Sequence, residues 1–98
     1  MNIEKLRSEI DAVDEAIVEL LEHRAAISKK IGAIKAQAGL PVFDRRREAA
    51  VLSGINRRAA GTFGAAAMER IFTEILFESR RLQKCVVPEA NTLAERAG

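Results

Sequence analysis

From Ile3 onward, apolar residues recur as Ile3, Leu6, Ile10, Val13, Ile17 and Leu20, then Ile27, Ile31 and Ile34. Alternating steps of three and four mark one face of a helix, sustained over more than four heptads with no glycine or proline before Gly32. The spacing predicts one helix over roughly residues 3 to 37. The stretch AGLP, 38–41, ends it with a glycine for the C-terminal cap and a proline that cannot continue the ladder. Asp44 is placed to cap a second helix of about 45 to 58, whose inner face carries Val51, Leu52 and Ile55. After AAGT at 59–62, a third helix of about 64 to 85 carries Met68, Ile71, Phe72, Ile75, Leu76 and Leu82 at helical spacing. Residues 1–86 form the expected helical domain, and 87–98 read as a polar, flexible tail.

The first helix is too long for its own domain. At 1.5 Å per residue it extends ~50 Å, whereas a globule of about 100 residues has a radius of gyration near ~13 Å. Its apolar stripe runs the whole length, so the overhang needs cover from another chain. A two-stranded coiled coil would satisfy the stripe but would leave two shorter amphipathic helices with no surface to pack on. The expected fold class is therefore all-α: a three-helix protomer with a very long first helix, in an intertwined C2 homodimer.

Several positions on these inner faces are polar. Continuing the seam 3, 6, 10, 13, 17, 20 brings Arg24 to a core position, where a guanidinium is costly without a partner. Ser28 and Lys35 fall on nearly the same face. On the third helix, Ser79 and Gln83 continue the stripe of Met68, Phe72 and Ile75. In PVFDRRRE, 41–48, only Arg47 shares a stripe with Val51 and Ile55, so it points inward while Arg45 and Arg46 stay in water, and Glu48 flanks it. An inward set of Arg24, Lys35, Arg47, Ser79 and Gln83 with one carboxylate outlines a pocket for a small polyanion carrying more than one carboxylate or phosphate.

Charge and composition narrow the chemistry. Sixteen basic against fourteen acidic residues are too balanced for the overall field of a nucleic-acid binder, and the absence of Trp and Tyr argues against base stacking. A single cysteine, Cys85, excludes an intrachain disulfide, and one histidine, His23, leaves no clustered metal ligands. No apolar run approaches the ~20 residues of a membrane span, and MNIEKLRSEI has no signal-type core, so a cytoplasmic protein without membrane or nucleic-acid partners is expected.

Four segments, LRSEIDAVDEAIVELLEHR, IGAIKA, PVFDRRRE and IFTEILFESRRLQ, in this order and at this spacing, resemble the all-helical (AroQ-type) chorismate mutases over roughly residues 3 to 84. The resemblance implies an intertwined dimer with two active sites, in agreement with the overhang. It also implies that Arg7, Arg24 and Arg47 bind the two carboxylates of chorismate, and that Ser79 touches a carboxylate. Lys35 and Gln83 would donate to the ether oxygen of the breaking bond, and Glu48, helped by backbone at Asp44, would hold the ring hydroxyl. Arg7 lies ~42 Å along the helix from Lys35, so it would enter the partner's pocket. The implied reaction is the [3,3] rearrangement of chorismate to prephenate in aromatic amino-acid biosynthesis, which needs no nucleophile, metal or cofactor.

Two further readings stand beside this one. A related helical enzyme, isochorismate-pyruvate lyase, shares fold and substrate shape, although Glu48 and the GLPVFDRRRE loop look more like the mutase. A non-catalytic dimerisation or regulatory module, or a nucleic-acid binder using Arg45, Arg46, Arg57, Arg58, Arg80 and Arg81, would have no use for Glu48 and Gln83 facing inward.

Overall fold

Helices α1 (Ile3–Ala38), α2 (Arg45–Arg58) and α3 (Ala65–Lys84) make up the computed structural model, which describes residues 2–59 and 61–85. Their limits fall within one residue of those read from the sequence, and the caps explain why. The Asn2 side chain accepts from the Glu4 amide at 2.9 Å, and the Asp44 carboxylate accepts from the Arg47 amide at 3.0 Å, each satisfying an orphan donor of a first turn. Gly64 has φ of 80°, outside the right-handed region, so α3 begins only at Ala65. The expected tail, 87–98, lies outside the described residues.

The α1 terminus is the most elaborate of these. Gly39 adopts the left-handed conformation at φ 68°, its amide donates to the Ala36 carbonyl, and the Leu40 amide donates to the Lys35 carbonyl at 2.8 Å. This is a Schellman closure, which turns the chain sharply while pairing two of the last carbonyls.

Helices α1 and α2 both pack on α3 and not on each other. Contact with α1 is confined to its C-terminal half: every residue of α1 from Ile3 to His23 is exposed, and burial begins at Arg24. Ile3, Leu6, Ile10, Val13, Ile17 and Leu20 are 41–68% exposed, so the apolar stripe that predicted the helix meets nothing within the protomer. The radius of gyration is 18.0 Å, against ~13 Å for a compact chain of this length. The long axis measures 66 Å. None of the described helices is long and apolar enough to cross a membrane.

Where α1 and α3 meet, Gly32 is buried directly against the backbone of Gln83. A Cβ at residue 32 would stand 2.7 Å from both the Gln83 Cα and its carbonyl oxygen. No flexible side-chain tip can yield there, so the helix itself would have to move. Gly32→Ala is therefore expected to lower the melting temperature, since overpacking of this type costs about 1–3 kcal/mol, and to displace Gln83. Gly54→Ala is the control: its Cβ would meet only the tip of Arg57 at 3.8 Å, and removal of a mid-helix glycine stabilises by up to about 1 kcal/mol. Thermal unfolding followed by circular dichroism should move in opposite directions for the two variants.

Candidate active site

The closure at Gly39 sends the chain back beside the end of α1, and the Lys35 side chain fastens it there. The ammonium donates to the Val42 carbonyl at 2.8 Å and to Gln83 Oε1 at 2.9 Å. An ammonium has three protons and can only donate, so the Gln83 amide must present its oxygen to Lys35 and turn its NH₂ away. One Lys35 proton and two amide protons are left for other acceptors. Holding Val42 also sets the start of α2, where Asp44, Arg47 and Glu48 follow within six residues.

A cavity of about 390 Å³ opens between the C-terminal half of α1, the start of α2 and α3. Arg24, Lys35, Asp44, Arg47, Glu48, Ser79 and Gln83 all line it, so seven of the eight residues singled out in the sequence converge here. Ile27, Ile31, Val42, Val51 and Leu76 supply apolar walls. The volume lies in the ~300–1,000 Å³ range of small-molecule sites. Arg47 is exposed in the protomer although it borders the cavity, a consequence of its place in the first turn of α2.

Ser28 and Ser79 are both buried, and their hydroxyls share a hydrogen bond of 2.5 Å between α1 and α3. Whichever hydroxyl donates, the acceptor keeps its own proton for a third group. Among the described residues neither Arg24 nor Arg47 forms an ion pair, so the cost of placing Arg24 in the seam is not met by a glutamate. The cavity carries four cationic side chains, Arg24, Lys35, Arg47 and Arg80, against two carboxylates, Asp44 and Glu48. Their balance of two positive charges complements a small dicarboxylate.

Arg7 is not brought into this cavity. It is exposed on the overhanging half of α1, where it pairs with Glu4 at 3.1 Å. A second, more apolar groove of about 300 Å³ is lined by α1 and α3 residues that include Leu21, Ala25, Ile75 and Leu82, and shares Arg24, Ser28 and Ser79 with the first. His23 and Cys85 are both exposed, and neither lines the polar cavity.

Arg80 entered the sequence reading only among the arginines that a nucleic-acid binder would use. It lines the cavity, its side chain is 27% exposed, and Nη1 donates to Glu48 Oε1. Its signal was present in the sequence: Leu76, Arg80 and Gln83 are spaced i, i+4, i+7, the stripe that faces α1 and α2. Arg81, by contrast, is exposed and bonded to Glu78 at 2.6 Å, an interaction that raises its pKa. Arg57 donates to Ser53 on the α2 surface.

A family model described as chorismate mutase type II matches residues 6–84. The chain is 37% identical over 86 residues to a bifunctional chorismate mutase/prephenate dehydratase of Aquifex aeolicus, a match covering 84% of this chain and 24% of that protein. It is 33% identical over 76 residues to a T-protein of Enterobacter agglomerans, covering 76% of this chain and 20% of the other. The chain thus spans about a quarter or less of these two curated relatives. Among solved structures, chorismate mutase of Thermus thermophilus (Form II) superposes with a TM-score of 0.83 at 31% identity, covering 85% of this chain and 94% of that one. Chorismate mutase of Helicobacter pylori, solved in complex with prephenate, superposes with a TM-score of 0.76 at 32% identity, covering 84% and 89%.

Proposed function

The chain belongs to the chorismate mutase type II family, and on that premise we propose that it converts chorismate to prephenate in the cavity between α1, α2 and α3. The observation that carries the reading is the Lys35–Gln83 hydrogen bond, which leaves one Lys35 proton and the Gln83 NH₂, donors from different helices, on the wall of a cavity of net positive charge. The rearrangement breaks the ether C–O bond as a new C–C bond forms across the ring, with no atom gained or lost. Negative charge grows on the ether oxygen in the transition state. The third Lys35 proton and the Gln83 amide are the donors for it, preorganised because their orientation is fixed by a bond between them.

Arg24 and Arg47 hold the two carboxylates of the substrate and keep the enol-pyruvyl arm folded over the ring, with Ser79 donating to one carboxylate. Glu48 accepts from the ring hydroxyl beside the Asp44 backbone. Restriction of the arm and stabilisation of the oxygen together need to supply about 8 kcal/mol for an acceleration of ~10⁶. Arg7 acts in the partner's cavity. The exposed stripe on the first half of α1 favours an intertwined homodimer, in which that half of the helix packs on a second copy and delivers Arg7 to it. The same reading places the protein in the cytoplasm, in aromatic amino-acid biosynthesis.

If Arg47 is the arginine of the run that meets the substrate, Arg24→Ala and Arg47→Ala should each lower kcat/KM for chorismate by about two orders of magnitude or more, with helical content retained. Arg45→Ala and Arg46→Ala should stay within about twofold. Following chorismate consumption and prephenate formation for the four variants tests this, and equal losses across Arg45, Arg46 and Arg47 would remove the assignment. Isochorismate assayed in parallel separates the mutase from the pyruvate lyase.

Shared sites should complement. Arg7→Ala and Arg24→Ala are each expected to be nearly inactive alone. After subunit exchange, half of the dimers are mixed and each has one site with both arginines, so activity should return to roughly a quarter of wild type. Exchange demonstrated by mass spectrometry without any recovery would refute the intertwined site.

Gln83→Glu retains the reach but donates only when protonated, because an ionised carboxylate accepts and would repel the developing charge. Its kcat/KM should rise as pH falls, with Lys35 favouring the ionised form and holding that rise at the acid end of the range. Profiles from about pH 4.5 to 8 should show the acid limb in the variant alone. Flat profiles with near-normal rates in both proteins would remove Gln83 from the mechanism.

A further inference from the structure

A carboxylate on the wall of a pocket that takes a dianion is an electrostatic conflict. Glu48 borders the same cavity as Arg24, Lys35 and Arg47, and its side chain is only 19% exposed, so water screens it poorly. An unaccompanied charge there would repel each carboxylate that the cations attract. It would also leave a short side chain free to swing toward Arg47, its neighbour in α2. The structure shows what answers both problems: Arg80 reaches across from α3 and donates from Nη1 to Glu48 Oε1.

The guanidinium is itself held. Its central carbon lies 5.3 Å from the ring centre of Phe43, in the connection before α2, and 5.9 Å from that of Phe77, one turn earlier on α3. Two aromatic faces and one carboxylate fix a planar cation much more tightly than a single ion pair would. With Oε1 engaged by Arg80, Oε2 is the oxygen that remains to accept from a ligand hydroxyl. The contact also joins α2 to α3, whereas Lys35 joins α1 to the connection and to α3.

We propose that Arg80 is a positioning residue for the rearrangement: it neutralises Glu48 toward the incoming dicarboxylate and orients Oε2 at the ring hydroxyl, acting through Glu48 and not on the substrate. This rests on the chorismate mutase reading above. Phe43 and Phe77 serve as its clamp, which gives a use to two aromatic side chains that are otherwise exposed.

The test is a double-mutant cycle on the full chain, with kcat and KM for chorismate measured for wild type, Arg80→Met, Glu48→Gln and the double variant. Methionine keeps the packing between the rings without the charge. Arg80→Met is expected to raise KM about tenfold or more and to lower kcat. In the Glu48→Gln background the same change should move KM by less than about twofold, because there is no longer a charge to neutralise. Arg80→Lys should recover most of the KM defect, a rescue that loss of packing alone does not predict.

If Arg80→Met loses its helical circular dichroism, Arg80→Gln takes its place in the cycle. An Arg80 variant with wild-type constants, or a loss of equal size with and without Glu48, overturns the proposal while leaving the mutase reading intact. A wild-type protein that leaves chorismate unchanged overturns the mutase reading and this proposal with it.

Discussion

The Lys35 ammonium organises the site because it can only donate. Two of its protons go to the Val42 carbonyl and the Gln83 amide oxygen, and with them the end of α1, the connection that follows it and the distant α3 are drawn to one point. The backbone of the same residue is tied by the Leu40 amide in the closure of α1, so both ends of the lysine are constrained. One turn earlier, Gly32 lets the backbone of α3 come close enough for Gln83 to reach. Replacing any of these by a residue of ordinary size or different hydrogen bonding would loosen the connection to α2, and with it Asp44, Arg47 and Glu48.

The interior of the protomer is arranged for a ligand more than for stability. Leu76 is the buried hydrophobic residue among those described, and it sits beside the buried pair Ser28 and Ser79. Positions that could have been filled by leucine hold Arg24, Lys35 and Gln83 instead, and each such exchange forfeits burial while adding desolvation. Meanwhile the apolar surface that would drive folding is displayed on the outside of α1. A chain built this way has little core of its own, consistent with a fold completed between two copies.

Helix limits and cavity lining were legible in the sequence for the same reason: both depend on which residues share a helical face, and periodicity reports faces directly. Arg24, Lys35, Ser79 and Gln83 stood out as polar residues on apolar stripes, and Arg47 as the one member of its run in phase with Val51 and Ile55. Arg80 escaped because an arginine beside another arginine at the end of a helix reads as solvated surface. Its partner Glu48 is 32 residues away on a different helix, and periodicity says nothing about which helices face each other. The close approach at Gly32 was invisible for a related reason, since a glycine in a helix looks like a weakness until the backbone it admits is known. The exposure of Arg47 shows that a stripe gives direction and not depth.

Helix α1 also behaves as a graduated shaft. Arg7 and Lys35 are fixed on it by a rigid count of residues, and adding or deleting one residue between them would turn one end by about 100° against the other while shifting it ~1.5 Å. No loop or glycine lies between Arg7 and Arg24 to absorb such a twist. Length changes in this helix should therefore not survive even in steps of about seven or eleven residues, which restore the phase but carry Arg7 more than ~10 Å along the axis, whereas the connection after Arg58 can drift. On the proposed shared site, the spacing between the two ends is as much a part of the protein's chemistry as the identity of either side chain.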